Sequence, residues 1–97
     1  MFGLTINRIV GDSMSPTLDD GEYGCFFCYF FHYELKRKQI VAVDHPHFGR
    51  IVKRISFLDS QGYYWLLGDN PNSLSSDKMG PISPQRIKSI LLFKIAK

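Results

Sequence analysis

No apolar run in this chain of 97 residues is long: the longest, CFFCYFF at residues 25–31, is far short of the roughly 20 residues needed to cross a bilayer. The N-terminus, MFGLTINRIVGD, lacks the basic start and long apolar centre of a secretory leader. With neither feature, the chain is expected to be cytoplasmic or peripherally associated with a membrane. Cysteine is scarce as well. Cys25 and Cys28 are the only two, too few for a secreted disulfide scaffold of this size. On a strand their spacing sends them to opposite faces, which argues against a shared metal or a mutual disulfide and leaves two buried small hydrophobes. Repeats, low-complexity tracts and linkers are absent, so a single domain over residues 1–97 is expected.

What is present fits a globular chain. Hydrophobic residues make up 44% and charged residues 22%, a balance that excludes disorder. Twelve Lys and Arg against nine Asp and Glu give a net charge of +3, compatible with an anionic partner without requiring one.

The apolar stretches are short and separated by turn residues, which predicts a mainly β fold. Strands are expected at Leu4–Val10, Tyr23–Phe31, Gln39–Val43, Arg50–Leu58, Tyr63–Leu67 and Lys88–Ile95. Helical turns are expected at most at SPTLDD, with Ser15 as cap and Pro16 in the first helical position, and at Ser83–Ile87. The fold class that follows is a small, partly closed β-barrel. The connection from Gly68 to Gln85 is too long and too polar to be an idle loop.

One residue departs from its strand. In GRIVKRISFL, residues 49–58, alternation puts Ile51, Lys53, Ile55 and Phe57 on one face and Arg50, Val52, Arg54 and Ser56 on the other. Lys53 therefore falls in the apolar column. Burial disfavours the ammonium and lowers its pKa, which lets a lysine serve as general base at neutral pH. An arginine could not do this, because it stays charged. On an arbitrary strand such a lysine usually snorkels to solvent, and a serine such as Ser13 in GDSMSPTL usually caps or turns the chain. Their joint appearance with the polar loop changes the balance.

Together the three segments resemble the signal peptidase I family of serine-lysine endopeptidases, and more distantly the self-cleaving repressor peptidases. GDSMSPTL is similar to that family's nucleophile box, GRIVKRI to its lysine box and LLGDNPNSLSSDKMGPI to its Gly-Asp-Asn box, in the same order and over nearly the whole chain. The resemblance implies the barrel of that family, Ser13 as nucleophile and Lys53 as general base, with Gly11, Met14 and Pro16 completing the nucleophile box. Relatives carry a hydroxyl two residues before the nucleophile; Gly11 stands there, which leaves the Ser13 backbone N–H as the oxyanion donor. Gly68, Asp69, Asn70 and Asp77 are the structural residues implied for the third box. That box is one residue longer than usual. Aligned on Asp77 it makes Ser75 the hydroxyl that orients the lysine; aligned on Gly68 it puts Leu74 there and leaves Ser73 nearest. Lys78 and Met79 replace the usual Ser-Arg, so Arg54 becomes an alternative charge partner for Asp77.

By resemblance the substrate is a protein or peptide with small residues at P1 and P3. The family includes general signal peptidases, organelle inner-membrane forms and short forms that trim a propeptide from nickel-dependent superoxide dismutase; GDNP and the small size lean toward a short form. An aromatic lip of Phe26, Phe27, Tyr29, Phe30 and Phe31 beside Lys36–Lys38 is expected to offer peripheral membrane contact. No cofactor is expected. A metal at His45, His47 and His32 is not expected either, since HPH reads as a turn rich in solvent-facing histidine. The rival reading is a non-catalytic β-barrel that binds single-stranded nucleic acid or a membrane surface through Lys36, Arg37, Lys38, Arg50 and Arg54. Nucleic acid is not the expected partner, because a phosphate-binding strand has no reason to turn Lys53 inward.

Overall fold

The computed structural model describes residues 2–29, 35–73 and 76–95, with side chains for all of these except residues 2, 29, 76 and 77. Six strands form one sheet: β1 (Phe2–Arg8), β2 (Tyr23–Tyr29), β3 (Ile40–His45), β4 (Gly49–Leu58), β5 (Tyr64–Leu67) and β6 (Ile87–Ile95). Their spatial order is β1-β2-β6-β3-β4-β5, and every neighbouring pair is antiparallel. The fold is mainly β, as the turn-punctuated apolar runs predict, and all six strands fall where expected to within a few residues. Phe30 and Phe31, expected at the end of the second strand, lie outside the described residues. The sheet is open, with β1 and β5 at its two ends.

β3 explains how so short a chain builds a core. Its burial is nearly continuous because it lies inside the sheet and is covered on both faces. Val41 and Val43 pack on one face with Ile55, Leu66, Ile82 and Ile87. Ile40 and Ala42 pack on the other with Ile9, Met14, Leu18 and Phe26. β1 and β4 are four strand spacings apart, about 19 Å if the sheet were flat. Residues 7–10 and 50–53 nevertheless line one cavity, so the sheet bends around it. Register shifts at Cys25/Phe26, Ala42/Val43 and Ile55/Phe57 supply irregularities of the kind that bend and twist strands.

The structure also corrects four expectations based on strict alternation or local composition. Phe26 is fully buried in the core and cannot belong to an exposed aromatic lip; the shift beside it lets Gly24, Cys25 and Phe26 all be buried. Cys25 is buried as expected, but Cys28 is only half-buried. Phe57 leaves the Lys53 column after the shift at Ile55/Phe57 and stacks, exposed, on Trp65 with ring centroids 5.9 Å apart. His45 is buried rather than solvent-facing: its Nε2–H donates to the Met79 carbonyl at 2.9 Å, and Nδ1 accepts the N–H groups of His47 at 3.0 Å and Phe48 at 3.2 Å. The imidazole thus organises the β3–β4 turn, which Gly49 closes with φ of +72°.

The helical content is a four-residue turn, α1 (Ser76–Met79), and a 3-10 turn, η1 (Pro84–Arg86), the latter where SPQRI predicts it. SPTLDD forms a non-helical turn instead. Its Ser15–Pro16 bond is cis, and Ser15 Oγ donates to Asp19 Oδ1 at 2.7 Å rather than capping a helix. Among the described residues no helix is long and apolar enough to cross a membrane.

Candidate active site

Ser13 and Lys53 line the same cavity, of about 390 Å³. Ser13 is half-buried on the turn that follows β1. That turn is fixed from beneath by Met14 and Leu18, both buried, with Leu18 N–H donating to the Met14 carbonyl at 2.9 Å. Asp20 ties its start, accepting the Gly11 N–H at 2.8 Å. With Met14 sunk into the core, its neighbour Ser13 is left at the cavity wall. No described hydrogen bond uses the Ser13 N–H.

Lys53 enters from β4. Its register partner is Val41, and Ile51 and Ile55 flank it on the same face. The side chain is only 6% exposed. Burial alone lowers its pKa from the ordinary 10.5, since no described carboxylate stands against it. Its neighbours on β4 are treated differently: Arg50 Nε donates to Asp44 Oδ1 at 2.6 Å, and Arg54 grips Asp69 with two bonds of 2.8 and 2.7 Å.

The third segment fastens the other two. Asn70 N–H donates to the Ser13 carbonyl at 2.9 Å, and Asn70 Nδ2 donates to the Asp12 carbonyl at 3.0 Å. Asp69 receives Arg54 from β4 and Thr17 Oγ1, at 2.5 Å, from the turn that carries Ser13. These donors, the guanidinium above all, hold its carboxyl below the usual carboxylate range. Gly68 is there because nothing larger fits: a β-carbon would stand 2.5 Å from the Ser13 carbonyl oxygen and closer still to Ser73 Oγ. Each residue of Gly68-Asp69-Asn70 thus has a separate positioning task.

The sequence-derived site residues therefore divide clearly. Ser13, Lys53 and the residues Gly11 and Met14 surround one cavity. Pro16 is exposed on the same turn. Ser73 packs over Gly68 beside the Ser13 carbonyl. Ser75, the favoured lysine-orienting hydroxyl, and Leu74 lie outside the described residues, as does the Asp77 side chain. The Arg54 guanidinium holds Asp69 and, through Nη1 at 2.7 Å, the Lys38 carbonyl. Thr17 was missed by sequence reading, although its place in the SPTL segment was the available signal. No cluster of three metal-ligating side chains forms among the described residues. No model of a known protein family matches the chain, and no curated protein matches it.

Proposed function

We propose that this chain is a serine endopeptidase in which Ser13 is the nucleophile and Lys53 the general base. The observation that carries the reading is a buried lysine, its pKa lowered by burial alone, in the wall of a cavity that also holds a half-buried serine. Lys53, once neutral, accepts the Ser13 hydroxyl proton as Oγ attacks the carbonyl carbon of a peptide bond. The Ser13 N–H stabilises the oxyanion. Collapse of the tetrahedral adduct breaks the C–N bond, and Lys53 returns the proton to the departing amine. Water then hydrolyses the ester with Lys53 again accepting a proton.

The surroundings favour an extended peptide. β1 is an end strand of the sheet, and β4 pairs with β5 only from Arg54 onward, so residues 7–10 and 50–53 both offer an unpaired strand edge to the cavity. A peptide added between two such edges gains main-chain hydrogen bonds irrespective of its sequence. Met14, Phe26, Ala42 and Val52 give the cavity an apolar lining, suited to the small residues at P1 and P3 that the resemblance implies. Among the described residues, peripheral membrane contact is left to the half-buried Phe27 and the exposed Lys36–Lys38 turn.

The test is cleavage of a peptide panel with Ala at P1 and P3, followed by mass spectrometry. The wild-type chain is expected to cut. Ser13→Ala and Lys53→Met are each expected to lower kcat by about a thousandfold or more. A panel left intact, or cleavage that survives both substitutions, would sink the reading.

A further inference from the structure

We propose that the end of the cavity farthest from Lys53 selects a peptide carrying an acidic side chain three or four residues from the bond that is cut, with Arg50 as the specificity-determining residue. The inference rests on the peptidase reading above and adds a substrate class to it.

Among the described residues, the cavity wall includes Arg8, Arg50 and Lys53 and no carboxylate. Arg50 lies three residues before Lys53 on β4, so their Cα atoms are about 10 Å apart, the span of three residues in an extended substrate. Alternation puts Arg50 on the same face as Val52, whose register partner is the core residue Ala42. Only one edge of its guanidinium is used in the described bonds: Nε–H donates to Asp44 Oδ1, while the terminal nitrogens carry no described bond. Held by that one edge, the fork keeps the paired N–H groups that a second carboxylate takes bidentately.

Further cations gather at the same place. Arg86, from η1, donates Nη1–H to the Asp44 carbonyl at 3.1 Å. Together with Arg50 and Lys88 it holds the Asp44 carboxyl below its usual range. Three cations act on this one carboxylate, an excess of two positive charges around Asp44, whose partner Arg50 lines the cavity. Arg50 is more than half exposed, so a substrate can reach it.

The experiment uses peptides that differ at one position, occupied by Asp, Asn or Lys and moved through four positions on each side of the scissile bond. The quantity measured is kcat/KM at low and at high salt. The wild-type chain is expected to cut the Asp peptide about tenfold better than the Lys peptide at the third or fourth position on one side, with the ratio shrinking as salt rises. Arg50→Glu is expected to reverse the order of Asp and Lys there, which a merely misfolded variant cannot do. Arg86→Glu, which leaves the Arg50–Asp44 pair in place, is expected to narrow the ratio. Cleavage that depends on Ser13 but is indifferent to charge at every position overturns this inference and leaves the peptidase reading standing. Absence of cleavage in every peptide overturns both.

Discussion

The three cations of β4, at positions 50, 53 and 54, show how one strand handles charge in different ways. Arg50 and Arg54 point to one face and meet Asp44 and Asp69, whereas Lys53 points to the other among aliphatic side chains. The arginines keep their charge by pairing; the lysine is driven toward neutrality by burial. A buried ammonium weighs against folding, so Lys53→Met is expected to raise stability at pH 7 by about 1 kcal/mol while removing activity, a trade often met at functional sites. The sign follows from proton counting. The folded pKa lies below the unfolded 10.5, so between the two values the unfolded chain holds more protons and stability rises with pH. Thermal unfolding from pH 7 to 10 should show that rise in the wild type and lose it in Lys53→Met. The proposed peptidase activity should likewise rise with pH, with a midpoint below 10.5. Gly68 makes the complementary case. A β-carbon there would press on a backbone carbonyl, which cannot rotate away. Gly68→Ala is expected to destabilise the fold by about 2 kcal/mol, read by denaturant unfolding, and to displace the Ser13 turn.

At the scale of elements, the nucleophile turn, β4 and the start of the polar loop meet at Asp69. The carboxyl is held below its usual 3.8, so its contribution is fully present above that pH and disappears as the pH falls through the folded value. Asp69→Asn is therefore expected to lower stability at pH 7 by about 1 kcal/mol, a figure kept small because the ion pair is partly exposed, and to flatten the loss of stability below pH 4. Thermal melts at pH 7 and pH 3 test both statements. Much of this level was legible in the sequence. Strands announced themselves through turn residues and apolar runs, and Lys53 stood out because it broke an alternation that the structure keeps from Ile51 to Ile55. The Arg54–Asp69 pair was not legible, because a charge partner fifteen residues away depends on how β5 turns back along β4. His45 was misread for a related reason. HPH looks like surface composition, yet the ring is buried by its contact with Met79, which follows a segment no local pattern assigns to it.

For the whole molecule, the bend in the sheet creates two unlike surfaces. The concave side holds the cavity, with its cations and its unpaired strand edges. On β1, Leu4 and Ile6 turn outward, where they are 59% and 62% exposed, with Phe93 exposed two strands away, whereas Ile9, just past the end of the strand, is buried. An end strand bearing apolar side chains is a template for unwanted pairing. Ile6→Lys is expected to change stability by no more than about 0.5 kcal/mol and to slow aggregation followed by light scattering. The strand order itself was beyond sequence reading: β6, the last strand, inserts between β2 and β3, a pairing set by the global closure of the core and not by any local pattern. The contact between Asn70 N–H and the Ser13 carbonyl has a practical consequence. Deuterium can replace that amide hydrogen only when the polar loop lifts away from the serine, so the exchange rate at a single position gauges the fraction of molecules in which the loop and the Ser13 turn are joined at any moment.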